Sequence, residues 1–172
     1  MKALLVVDGY NVIGATERYR SLIDESADDP FERARWQLVT DVATFAQRAY
    51  EAHVIFDGAG NVSPLRPVVR QAGVAVEFSA TGESADEVIE RLAQSARRSG
   101  RETCVVTSDN VVRATVGGVP VTTISSTLLA HEIDVTDAEV AREAAAAGRS
   151  HMTVEDRLSP AQRAKLDALL GR

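Results

Sequence analysis

Cysteine is nearly absent: Cys104 is the only one in 172 residues. A single thiol forms no internal disulfide and supplies no thiolate zinc cage, so a reducing, cytoplasmic setting is expected. Aromatic residues are scarce too, at 5%, which weakens any model built on base-stacking platforms. Long apolar runs are missing. The run from Ala3 to Val7 is cut by Asp8, and nothing later approaches the roughly 18 residues of a bilayer span, so neither secretion nor membrane insertion is expected. Positive charge is short as well, with 19 Lys and Arg against 25 Asp and Glu and a net charge of −6. Such a chain repels phosphate polymers as a whole, and any nucleic-acid role must use a local patch. Lys2 and Lys165 are the only lysines, so that patch would consist of arginine, whose planar fork suits phosphate.

What is present is ordinary globular composition, 45% hydrophobic and 26% charged, which excludes collagenous, disordered and low-complexity classes. Ala3 to Val7, His53 to Phe56 and Thr103 to Val106 are continuous apolar runs, as expected of strands buried on both faces of a parallel sheet. Val74 to Phe78 and Val119 to Ile124 bring the expected strands to about five. Helical patterns lie between them, from Phe31 to Tyr50 and from Ala85 to Arg98, the second opened by the capping-box pair Ser84 and Glu87. Asn61 to Arg70, with Pro64 and Pro67, reads as a loop. Trp36 and Phe45 stand at helical spacing and are expected in the core. Helices are expected again from Thr127 to Ile133, from Asp137 to Ala147, and from Ala161 to Leu170 after the Ser159-Pro160 start signal. Alternating strands and helices give an α/β fold with a mostly parallel sheet, residues 1–133, followed by a C-terminal helical extension, 134–172.

Three of the apolar strands lead into an aspartate: Asp8, Asp57 and Asp109. Ligand sites of open parallel sheets form at the carboxyl ends of strands, so these side chains can converge on one rim. The helix after the fourth-placed acidic string, Glu83 with Asp86 and Glu87, starts at the same rim. Taken singly, Asp8-Gly9 and Asp57-Gly58 look like turns, Asp86 complements a helix dipole, and Asp109-Asn110 caps a helix. Four such sites on one rim are harder to explain as independent turns and caps. Crowded carboxylates call for a hard divalent cation such as Mg²⁺ or Mn²⁺, and phosphoryl-transfer enzymes use such clusters. The histidines, His53, His131 and His151, are scattered and offer no zinc spacing. Asn11, in the turn after the first strand, could orient a water, a metal or a phosphate, and Thr107 and Ser108 could donate hydroxyl hydrogen bonds or cap the next helix. Arg66, Arg70 and Arg113, the last in a turn after Asp109, are candidates for phosphate contacts at the rim, and Tyr10 for stacking on a base. Arg97, Arg98 and Arg101 belong to the opposite end.

The ordered strings Asp8-Gly9-Tyr10-Asn11-Val12-Ile13-Gly14, Phe56-Asp57-Gly58, Glu83-Ser84-Ala85-Asp86-Glu87-Val88-Ile89-Glu90 and Val106-Thr107-Ser108-Asp109 resemble the motifs of the YacP-like NYN-domain family of PIN-like nucleases. The resemblance covers about residues 1–133. It implies a PIN-like three-layer α/β/α domain and a metal-dependent endoribonuclease whose catalytic, metal-binding acids correspond to Asp8, Asp86 and Asp109, with Asn11 and Asp57 in support. It also implies RNA, mRNA above all, as substrate and the ribosome as a partner, with no DNA preference. The competing reading is a PIN-like module that binds RNA or the ribosome without cutting. Other acid-site classes fit less well: Asp8 lacks the Asp-x-Asp of aspartyl phosphatases, no late lysine serves a receiver domain, and no Gly-x-x-x-x-Gly-Lys loop occurs.

Overall fold

The computed structural model describes residues 2–47, 49–58 and 68–150, with side chains to 145. Six strands, β1 (Ala3–Asp8), β2 (Tyr50–Phe56), β3 (Val69–Gln71), β4 (Val74–Phe78), β5 (Thr103–Val106) and β6 (Val121–Ile124), form one sheet in the order β3-β4-β2-β1-β5-β6. All pair in parallel except β3, which runs antiparallel to β4. Helices α1 (Gly9–Ala15), α2 (Glu17–Arg20), α3 (Glu32–Ala46), α4 (Ala85–Ser99), α5 (Asn110–Val116) and α6 (Ser126–Ser150) complete the described chain. Strand order grows in one direction from β1 through β2 to β4 and then restarts on the other side of β1 with β5. The point where the order reverses lies between β1 and β5, where open α/β sheets bind ligands beyond the carboxyl ends of the strands.

Alternation along β1 builds both faces. Leu5 and Val7 pack with Val12, Leu38, Val42, Leu129 and Ile133 of the α1, α3 and α6 layer. Leu4 and Val6 pack with Val88, Ile89, Val112 and Val116 of the α4 and α5 layer. A strand covered on both sides must be apolar at every position, which is why β1 reads as an unbroken hydrophobic run until Asp8. The α/β class and three-layer arrangement therefore stand as expected. The compact unit carrying the sheet runs to Asp134; residues 135–150 of α6 belong to a second unit, in which Val135 and Val140 are exposed. Among the described residues no helix is long and apolar enough to cross a membrane.

Several local expectations are corrected. The segment taken as a loop up to Arg70 contributes β3, too short and too exposed to show alternation. The turn expected after β1 is α1, capped by Asp8 itself, and Arg113 sits in the last turn of α5 instead of in a turn. The helix expected to reach Tyr50 stops at Ala46, because the chain reverses through Gln47 at positive φ and Tyr50 already begins β2. The last strand starts at Val121, since Val119 is 97% exposed and Pro120 has no N–H for the ladder. The two helices expected after Ser125 are one, α6, and the one expected from Ala161 lies outside the described residues. Trp36 is 58% exposed, not core, because it falls on the outer face of α3, whose inner face is Leu38, Val39 and Val42. Phe45 is half-buried and stacks on Tyr50.

Candidate active site

Asp8 ends β1 at the switch point and is only 8% exposed. The Asn11 amide N–H donates to its Oδ1 at 3.2 Å, and the Thr107 hydroxyl donates to its Oδ2 at 3.3 Å. Burial pushes its carboxyl up to about 6, and the neighbouring charges of Asp86 and Asp109 push the same way. Gly9 follows because nothing larger fits: an added Cβ would overlap the Phe56 ring.

Asp86 lies in the first turn of α4. Ser84 Oγ accepts from the Glu87 N–H at 3.3 Å, and the Glu87 carboxylate accepts from the Ser84 N–H at 2.8 Å, so the capping box expected from sequence fixes the start of this helix and with it Asp86. The Asp86 carboxyl is raised, first by burial and then by Asp109, Glu90 and Asp57. Asp109 caps α5, accepting from the N–H groups of Val111 at 2.7 Å and Val112 at 3.3 Å. Thr107, fully buried, joins two of the acids: its hydroxyl donates to Asp8 and accepts from the Asp109 N–H at 3.1 Å.

Asn11 ties three segments together. Its Oδ1 accepts from the Ser108 N–H at 2.9 Å and the Ser126 hydroxyl at 2.6 Å, and Ser108 Oγ accepts from the Ser126 N–H at 3.1 Å. With the oxygen committed to two hydrogen bonds, the Asn11 side chain has only its –NH₂ left, a donor and not a metal ligand. Ser126, fully buried, is the residue that sequence reasoning missed. The signal was there: Ser125-Ser126 follows the parallel strand β6, so it reaches the same rim, but it carries no acid to draw attention.

The other candidates divide. Asp57, exposed after β2, is near enough to raise Asp86. Glu83 is turned aside, paired with Arg91 at 2.6 Å and accepting from the Ala80 N–H at 3.3 Å. Tyr10 is half-buried, edge-on to Phe31 and Phe56, and its hydroxyl accepts from Arg35 at 3.0 Å. Arg70 is not at the rim. Because β3 is antiparallel, Arg70 pairs with Ala75 near the start of β4, and its guanidinium lies 3.8 Å from Glu51 at the amino end of β2. Arg113 lies one turn beyond Asp109, and Arg66 is outside the described residues. Arg97 and Arg101 occupy the opposite end as expected, Arg97 on the last carbonyls of α5 and Arg101 on Glu51.

Among the described residues no three Asp, Glu, His or Cys side chains already stand at coordinating spacing. The donor set nonetheless suits a hard cation. All its donors are carboxylate oxygens, Asp86 and Asp109 raise Asp8, Asp109 raises Asp86, and among the described residues none of the three has a lysine or arginine partner.

The family model for the YacP-like NYN domain matches residues 5–170, so it extends past the four motifs into the C-terminal extension. The protein YacP of Bacillus subtilis (strain 168) is 30% identical over 139 residues, 81% of this chain and 79% of that one. A crystal structure of a mutant of Rae1 (YacP) from Bacillus subtilis superposes with a TM-score of 0.71 at 27% identity, covering 98% of this chain and 99% of that one. A second Rae1 (YacP) crystal structure from the same organism gives 0.69 at 25% identity, with 97% and 89% covered.

Proposed function

The chain belongs to the YacP-like NYN domain family, and from that premise we propose that it is an endoribonuclease that hydrolyses single-stranded RNA, mRNA above all, using a divalent cation. The observation carrying this reading is that carboxylates from three separate segments, Asp8, Asp86 and Asp109, meet at the carboxyl end of the sheet, close enough that Asp86 and Asp109 raise Asp8 and Asp109 raises Asp86, without a basic partner among the described residues. Asp8, Asp86 and Asp109 would hold Mg²⁺ or Mn²⁺, which supplies Lewis acidity for activating water and steadying the leaving oxygen.

The chain's own groups orient and restrain. Thr107 fixes the rotamer of Asp8 and the backbone of Asp109 through one hydroxyl. The Asn11, Ser108 and Ser126 knot holds the loop between β5 and α5 against α1 and α6, and leaves the Asn11 –NH₂ as the group that would donate to a phosphate oxygen. Asp57 adds negative charge at the edge of the rim, and Arg113 lies one turn along α5 from Asp109, where it would meet a phosphate. The resemblance to the family supports the ribosome as the place of action, and the single cysteine supports a cytoplasmic location.

The test is cleavage of single-stranded RNA by the full chain in Mg²⁺ or Mn²⁺, with and without ribosomes. Hydrolysis by water leaves 5′-phosphate and 3′-hydroxyl ends. Asp8→Asn, Asp86→Asn and Asp109→Asn should each slow cleavage by at least about 100-fold while remaining folded. Products ending in 2′,3′-cyclic phosphate would overturn the mechanism, and RNA binding without cleavage under both conditions would leave a non-catalytic binding module.

A further inference from the structure

Beside the acid rim, not at it, lies a cavity of about 840 Å³. Ligand pockets for small molecules span about 300–1,000 Å³, so it is roomy enough for a nucleoside. It is continuous with the rim through Asp57 and through Tyr10, two residues beyond Asp8. Three aromatic rings border it, Tyr10, Phe31 and Phe78, all only partly buried. Tyr10 meets Phe31 edge-on at 5.2 Å, and Arg35 lies 5.6 Å over the Phe78 ring. In a chain with 5% aromatic residues, three of them at one cavity mouth next to the acids is a concentration that suits a planar, unstacked base.

The polar groups of the cavity narrow the choice of base. Asp29 is bound to Arg35, which in turn donates to Tyr10, so that carboxylate is already used. Asp28 is exposed at the cavity, and among the described residues no hydrogen bond or ion pair reaches it. An ionised carboxylate only accepts. Guanine alone presents two adjacent donors on its Watson–Crick edge, N1–H and the N2 amine. Adenine and cytosine set a ring nitrogen acceptor beside their amine, and uracil flanks its single N–H with carbonyls; each would face the carboxylate with a lone pair. A cationic side chain would also satisfy Asp28, but the three rings at the cavity suit a planar base, and argininamide serves as the competing probe.

We propose that this cavity takes one unstacked guanine of the RNA, its ring against the Tyr10, Phe31 and Phe78 wall and its N1–H and N2 amine on Asp28, beside the phosphate presented to the acids. The proposal rests on the nuclease reading only for the source of the base; the pocket itself recognises a guanine ring, whether in RNA or in a free nucleotide.

Equilibrium binding to the full-length Asp86→Asn protein in Mg²⁺ tests it without cleavage. The probes are a uracil tetranucleotide, the same tetranucleotide with one guanine, its inosine and adenine counterparts, and the free nucleotides GMP and UMP. The single guanine should tighten binding by at least about tenfold over uracil, the range of a hydrogen bond pair to a charged group. Inosine, lacking the N2 amine, and adenine should lose most of that gain. Asp28→Asn should erase the guanine preference. So should Gly14→Leu, which fills the cavity from a position where an added Cβ meets nothing within 4 Å. Tighter binding of the guanine tetranucleotide than of GMP assigns the base to RNA, and equal binding assigns the pocket to free nucleotide. Indifference to the base, preference untouched in both variants with unchanged melting, or displacement by argininamide in place of guanine would each overturn the proposal. Cleavage without base preference would sink the pocket and leave the nuclease; guanine binding without cleavage would do the reverse.

Discussion

Asp8 carries an electrostatic cost that the unfolded chain does not. Its carboxyl is raised to about 6 by burial, with Asp86 and Asp109 adding to it, against partial relief from the Asn11 N–H and the Thr107 hydroxyl. The folded protein therefore holds this proton more tightly than the unfolded chain, and stability falls as pH rises from the ordinary carboxylate range through about 6. Asp8→Asn removes the charge and leaves an amide whose oxygen can still accept from the Asn11 N–H, while its –NH₂ takes the place of Oδ2 and donates to the Thr107 hydroxyl oxygen. In metal-free protein at pH 7 the variant should be more stable than the parent by about 1–3 kcal/mol, a gain that shrinks on acidification and vanishes below about pH 4. Denaturant titrations across that range check it, and equal stability at all pH values would show that Asp8 is not strained. A residue that destabilises its own fold at neutral pH is one retained for what it does, and the same substitution should abolish cleavage.

At the scale of elements, the acids depend on how their segments begin. Among the described residues no hydrogen bond or ion pair holds the Asp86 side chain; its position follows from the Ser84 and Glu87 capping box that starts α4. Ser84→Ala should cost about 1 kcal/mol of stability. It should also lower cleavage more than an equally destabilising change at the far end of α4, as a paired comparison of melting and rate will reveal. This box was legible in the sequence because it is local, three residues apart. So were β1, β2 and β5, whose burial on both faces leaves no polar position until the terminal acid. What escaped was non-local or weakly marked. Helix α1 is seven residues with two glycines, and nothing in its composition separates it from a turn until Asp8 is seen accepting from Asn11. Arg70 reads as a rim residue if the chain after Pro67 is a loop, and moves to the opposite end once β3 pairs antiparallel with β4. Trp36 reads as core by spacing, yet the inner face of α3 is already filled by smaller side chains. Ser126 is placed beside Asn11, 115 residues earlier, by sheet order alone.

For the molecule as a whole, a net charge of −6 and an acid rim without a basic partner among the described residues mean that the proposed RNA substrate would meet a surface that repels it, and a divalent cation is the simplest way to reverse the sign there. That requirement gives a test independent of any substrate. An ion that binds only the folded state adds stability of RT ln(1 + [L]/Kd), about 2.7 kcal/mol at 100 times Kd. For a chain of this size each kcal/mol shifts Tm by about 2–4 °C, so saturating Mn²⁺ should raise the wild-type Tm by about 5–10 °C at pH 7. Asp86→Asn and Asp109→Asn should lose most of that rise, and Asp8→Asn should lose it from a higher metal-free starting point, since the ion and the substitution relieve the same repulsion. The gain should also fade below about pH 5, where protons compete for the raised carboxyls of Asp8 and Asp86. If Mn²⁺ leaves the wild-type Tm unchanged at neutral pH while the Asn variants are no more stable than their parent, the three acids are not a cation site, and the rim would have to bind RNA through Asn11 and the flanking cavity alone.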